Sequence, residues 1–176
     1  PLTCTGDWLH AWKRNAQVHS QRALFQHIAY TVSADGATTW GQFTPLKDIR
    51  FLTDSLPLAL NRFNSYAEDG TGAYQDCHAW HFTPSSFDLL MLELSQLGLI
   101  PFTVAQTHPS CGCEFIVLLR NSVPPLIQEQ DLQRQRIELL RKIAVEQAVP
   151  SQLLQPNLAR SLLTRLRRSL IGLVRR

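Results

Sequence analysis

The stretch from Thr83 to Gly98 limits the fold more than any other part of the sequence, because it carries the start and stop signals of one helix. A threonine hydroxyl can accept from an orphan amide and proline loses nothing at the first helical position, so Thr83-Pro84 predicts the start. Phe87, Leu90, Met91, Leu94 and Leu97 form one apolar face, and Gly98 predicts the stop. Ile100 to Gln106 and Phe115 to Leu119 read as two strands joined through His108-Pro109-Ser110-Cys111-Gly112. Ahead of the helix, Tyr74 to Phe82 reads as a short extended segment. This order of extended segment, helix and antiparallel hairpin predicts an α/β fold. The helix covers one face of the sheet, and the hairpin adds an antiparallel strand to an otherwise parallel arrangement.

Helices are predicted on both sides of that unit. Thr5 to Trp12 reads as a short helix with Asp7 near its start, where an acid suits the helix dipole. Leu24, Phe25, Ile28 and Val32 recur at helical spacing before the turn Asp35-Gly36, and Trp40 begins an irregular stretch. Ser55 as a cap, with Pro57 in the first turn, predicts a helix reaching about Ala67. The Gly70-Thr71-Gly72 that follows comes after a helix rather than a strand and precedes no helix, which makes it a poor phosphate cradle. Beyond Pro124-Pro125, Gln128 to Gln147 predicts a surface helix with Leu132, Leu139, Leu140 and Ile143 on its inner side. Pro150 and Pro156 are expected to interrupt the chain before a last helix from about Asn157, with Leu158, Leu162, Leu166, Leu170 and Leu173 in its stripe.

Charge separates the two ends. Six arginines and no acid lie in 151–176, so removing them from the net charge of +3 leaves the first 150 residues at −3. An acidic body argues against a nucleic-acid partner, which would call for a basic face on the folded part. No apolar run approaches the roughly 18 to 20 residues of a spanning helix. The four cysteines, Cys4, Cys77, Cys111 and Cys113, suggest no disulfide ladder, so a cytoplasmic setting is expected, with the basic tail offering contact with the inner face of a membrane. The chain opens on Pro1 rather than Met, which is read as a processed product or a fragment.

Several of these segments together resemble a group of bacterial class I S-adenosylmethionine-dependent methyltransferase domains, often found among surface-glycan biosynthesis proteins. The resemblance runs through Thr5-Gly6-Asp7-Trp8, Phe25-Gln26-His27, Asp35-Gly36 with Trp40, and the stretch Asp76-Cys77-His78-Ala79-Trp80-His81-Phe82-Thr83-Pro84-Ser85-Ser86-Phe87. It closes with Leu97-Gly98-Leu99 and Gly112-Cys113-Glu114-Phe115. It implies that residues 76–122 are the last elements of a Rossmann-like methyltransferase sheet, that 1–75 are a helical insertion on the substrate side, and that 123–176 are a helical, basic amphipathic tail. The family's glycine-rich turn and cofactor-binding acids precede these elements. On this resemblance the chain is a partial methyltransferase whose S-adenosylmethionine site comes from an upstream domain or a partner. One departure is local: the family tends to carry an acid where this chain has Gln26 before His27.

Methyl transfer from a sulfonium is a displacement in which the protein aligns the groups and excludes water, and a hydroxyl acceptor gains from a nearby base. His78 is the first candidate base and Asp76 the second, since an extended chain puts both on one face and an imidazole titrates near neutrality. The competing reading is that they bond to each other or to backbone at a strand end. Trp80 either lines an acceptor pocket or packs with Phe82 and Phe87, and His27 either points into the cleft or caps a packed face. Cys111-x-Cys113 and His78-x-x-His81 supply zinc-ligand types, yet neither has the usual spacing of structural zinc sites, and no metal is expected. The sequence thus predicts methyl transfer to a small-molecule or glycan acceptor. The rival is a non-catalytic module held to a membrane surface or partner by 157–176.

Overall fold

The structure is a computed structural model and describes residues 2–34, 49–52, 54–108, 114–122 and 125–153, the last five through their backbone alone. It is a mixed α/β fold with five helices and two separate two-stranded antiparallel sheets among the described residues. In chain order these are α1 (Thr5–Lys13), α2 (Gln21–Tyr30), β1 (Val32–Ala34), β2 (Ile49–Phe51), α3 (Ser55–Ser65), α4 (Pro84–Gln96), β3 (Phe102–Thr107), β4 (Val117–Asn121) and α5 (Glu129–Leu153).

Both ends of α4 follow the signals in its sequence. Thr83 Oγ1 accepts from the Ser86 amide at 3.3 Å while Ser86 Oγ accepts from the Thr83 amide at 2.8 Å, a reciprocal cap with Pro84 in the first turn. At the other end Gly98 adopts φ +71°, and the amides of Gly98 and Leu99 bond back to Ser95 and Leu94 carbonyls at 3.0 Å each. That pair of bonds is a Schellman motif, which needs a left-handed residue that glycine supplies without strain. Between the caps Leu90, Met91 and Leu94 are buried, each contributing about 1.5–3 kcal/mol by leaving water.

Strand β3 lies against α4 and pairs with β4, Thr103 facing Arg120 and Val104 facing Leu119 before the register shifts to Gln106 facing Leu118. The shift leaves Ala105 as the extra residue of a bulge. Helix α5 packs on α4, and polar side chains tie the assembly together. Glu146 of α5 accepts from both the amide and the hydroxyl of Ser85, at 3.2 and 2.7 Å, placing a carboxylate at the amino end of α4 where the helix dipole favours it. Arg136 Nε bonds Glu93 at 2.8 Å, and the Thr5 hydroxyl of α1 reaches the same carboxylate. Thr107 Oγ1 donates to Asp88 at 2.9 Å, yet burial outweighs that bond and pushes the Asp88 carboxyl above its ordinary value.

The other unit is built by α2, α3 and the short hairpin of β1 and β2, in which Ser33 faces Arg50. Ser20 caps α2 by accepting from the Ala23 amide at 3.1 Å, and Glu68 accepts from the Gln21 amide at 2.6 Å. The Gln21 side chain reaches across to the Phe63 and Tyr66 carbonyls, both at 2.9 Å, and Phe25 meets Phe63 edge to face. Leu24, Tyr66 and Cys77 form the buried cluster, with Val18, Ala23, Ile28 and Ala79 around it.

The structure changes several expectations. Val32 belongs to β1 rather than to α2, because Thr31 leaves helical geometry and Val32 then pairs with Phe51. Ser55 is the first residue of α3, and the N-cap position falls to Asp54, which makes no side-chain cap bond and is left-handed with φ 55°, a geometry that aspartate tolerates better than most residues. The hairpin strands start about two residues later than predicted. Segment 74–82 is extended but forms no strand with β3 or β4; the Thr3 amide donates to the His81 carbonyl at 2.8 Å and Thr3 Oγ1 accepts from the His81 amide at 2.9 Å, so at His81 its backbone bonds to Thr3 rather than to a sheet. Helix α5 runs through Pro150 to Leu153 although the proline forfeits its bond to the Glu146 carbonyl, a loss confined to one turn near the end of the helix. The turn at Asp35-Gly36, Trp40, Cys111 with Cys113, Pro156 and the leucine stripe of 157–176 lie outside the described residues.

Candidate functional site

The candidate site forms where segment 74–82 crosses the carboxyl end of α2. The segment alternates as an extended chain must: Asp76, His78 and Trp80 are exposed, while Cys77 is buried and Ala79 half-buried against the Leu24 cluster. Cys77 is therefore the anchor, its thiol pushed up by burial and then by the Asp76 charge. Asp76 and His78 share the open face, as their i, i+2 spacing predicts. Trp80 joins them there at 44 % exposure and does not pack as a core residue; the aromatic packing is made by Phe82 with Phe87 and by Phe87 with Phe115, at 5.3 and 6.2 Å between centroids.

His27 enters from the last turn of α2, whose final carbonyls are closed off by the Thr31 hydroxyl bonding to the His27 carbonyl. Its ring lies 5.5 Å from that of His78, tilted by 51°, and its Nδ1 accepts the His78 backbone amide at 3.3 Å. A helix carboxyl end by itself favours a protonated imidazole. Here burial and then the neighbouring His78 push the His27 pKa below its ordinary 6.5, against the opposing pull of Asp76. The sequence left His27 between a cleft position and a packed face; the structure brings it together with His78 and Asp76.

Two further residues complete the cluster. His19, in the turn before α2, meets the Tyr74 hydroxyl through Nε2 at 3.0 Å, and the rings lie 5.5 Å apart. The same hydroxyl sits 3.5 Å from Asp76 Oδ1, so a polar chain runs from His19 through Tyr74 to Asp76. Sequence reasoning missed His19 and Tyr74, since nothing local links positions 55 residues apart. The one usable signal was Tyr74 two residues before Asp76 on the same extended face.

The arrangement places an imidazole and a carboxylate on one exposed surface, with an exposed indole on the same face of the segment. Among the described residues no group of three or more histidine, cysteine, aspartate or glutamate side chains could hold a metal ion. A separate groove of about 560 Å³ runs along the outer side of α5 between Gln130, Gln133, Arg134, Ile137, Glu138 and Arg141. It is walled by that helix alone and shares no residue with the histidine cluster. No helix of the described residues is long and apolar enough to cross a membrane. No protein-family model, curated protein or solved structure matches the chain.

Proposed function

We propose that the chain is the acceptor-side part of a class I S-adenosylmethionine-dependent methyltransferase, acting on a hydroxyl of a sugar or glycan. The observation that carries this reading is the meeting of His27 with His78. The two residues stand 51 positions apart, in two different segments of the family resemblance, and come into contact on one open surface, with Asp76 near enough to act on His27. That two separate stretches of the resemblance meet on one surface supports their serving one site.

The acceptor side of the reaction can be written from these residues. His78 takes the proton from the acceptor hydroxyl as the oxygen becomes nucleophilic, because its ring is exposed and its backbone, not its imidazole, is tied to His27. Asp76 stands on the same face as the positively charged imidazole that results. Trp80 offers a flat apolar surface against which a sugar ring can lie, and Tyr74 with His19 offers hydrogen-bonding groups beside it. The described residues do not fit the cofactor: the left-handed glycines are Gly70 and Gly98, one in a loop and one at a helix end, and no glycine-rich turn joins a strand to a helix. The adenosyl side therefore belongs to strands outside the described residues. Strand β4 supports this, since Ile116 and Leu118 on one face and Leu119 on the other are all exposed. An edge strand apolar on both faces has the pattern of an interior strand of a larger sheet.

Calorimetry with S-adenosylmethionine, on this chain and on a longer chain carrying the sequence upstream of it, tests the reading. Binding by the longer chain alone is expected, and in that chain His78→Ala should keep cofactor binding while lowering methyl transfer by about 10²–10⁴-fold. Failure of both chains to bind would overturn the proposal.

A further inference from the structure

The contact between His27 and His78 is built so that only one protonation state of His27 can make it. His27 Nδ1 is the acceptor for the His78 amide. A neutral imidazole that accepts at Nδ1 carries its proton on Nε2; once protonated, both nitrogens are donors and the bond is lost. Protonation also sets a positive charge 5.5 Å from the His78 ring. The charged and titratable groups acting on His27 are His78, Asp76 and His81 from segment 74–82 and His19 from the residues ahead of α2. On the α3 side, the described contacts of α2 are Phe25 with Phe63, the Gln21 side chain with two carbonyls, and the Gln21 amide with the Glu68 carboxylate, which lies at the opposite end of the helix from His27.

We propose that His27 is a positioning residue that fixes the backbone at His78 against the end of α2 only while its imidazole is neutral, so that the acceptor face loosens at His78 on acidification. Its importance for methyl transfer rests on the function proposed above, whereas the seating itself does not. The segment has two other anchors, the buried Cys77 side chain and the paired bonds between Thr3 and His81. Protonation therefore frees the backbone at His78, between those two anchors, and leaves Cys77 and His81 in place. Burial of His27 and the nearness of His78 hold the transition below pH 6.5, the ordinary imidazole value.

Amide exchange of His78, corrected for the intrinsic rate at each pH and followed by NMR from pH 8 to pH 5, tests the device without any cofactor or acceptor. The His27 ring resonances report its own titration in the same samples. In the wild-type chain the protection of the His78 amide should fall about three- to tenfold as His27 protonates, the size of one lost hydrogen bond. His27→Asn places an amide oxygen near the position of Nδ1 and does not titrate, so it should keep the protection across the whole range. His27→Ala should lack it at every pH. The Leu94 amide in α4 should stay protected in all three, separating local release from unfolding. Equal pH dependence in the wild-type chain and His27→Asn, or constant protection while His27 titrates, would overturn the proposal. Neither result depends on whether S-adenosylmethionine binds.

Discussion

The α4 unit and the α2 unit are held together by different means. Around α4, three apolar side chains are buried in one helix face, and carboxylates from α4 and α5 fasten the neighbouring elements. Around α2, one leucine, one tyrosine and one cysteine make the cluster, and much of the remaining attachment is polar: Gln21 and Glu68 at one end of the helix, His27 at the other. A helix fastened mainly by apolar area is indifferent to pH near neutrality. One fastened at its end by an imidazole is not, and the candidate site lies on the second kind.

Core truncation is the strongest way to break this contrast. Leu94→Ala and Leu24→Ala remove side chains that are each 2 % exposed, and each should cost about 2–5 kcal/mol in denaturant unfolding. The account expects Leu94→Ala to sit at the upper end, since Leu90 and Met91 leave its cavity walled on the same helix, and Leu24→Ala at the lower end, where the thinner cluster can collapse. A larger loss for Leu24→Ala would reverse the ranking of the two units.

Capping sharpens the comparison at smaller scale. Glu68 satisfies the Gln21 amide and also pairs with Arg14 at 3.1 Å, a partly exposed ion pair that itself adds little. Glu68→Ala should lower stability by about 1–2 kcal/mol, mainly because the Gln21 amide at the start of α2 loses its charged acceptor while the Ser20 cap remains. Thr83→Ala should lower it by about 1 kcal/mol, because Ser86 and Pro84 still favour the start of α4. Thermal unfolding of the two variants checks the order.

The same contrast explains what could be read from the sequence. Helix α4 was legible from Thr83 to Gly98 because its caps, its apolar face and its stop are all local. The hairpin was legible for the same reason, apart from the bulge at Ala105, which depends on how two strands fit rather than on either strand alone. Asp76 and His78 were placed on one face by the two-residue repeat of an extended chain, and Trp80 fell on that face too, although aromatic neighbours in the sequence pointed to the core. The docking of that segment was not legible. Its partners, Thr3, His19 and His27, lie 51 to 78 positions away and are joined to it by one or two hydrogen bonds each, which leave no periodic trace. Pro150 shows the converse: a strong local stop signal gave way to a helix already fastened along α4.

The claim on which the rest depends is that the end of α2 and the segment carrying Asp76 and His78 lie against each other, and ring-proton NOEs at neutral pH measure that directly. The account predicts cross-peaks between the His27 and His78 imidazoles and between His19 and Tyr74, consistent with centroid separations of 5.5 Å in both pairs. Cross-peaks from Phe82 to Phe87 without any between His27 and His78 would show the segment folded at its far end yet not seated on α2, and would contradict it.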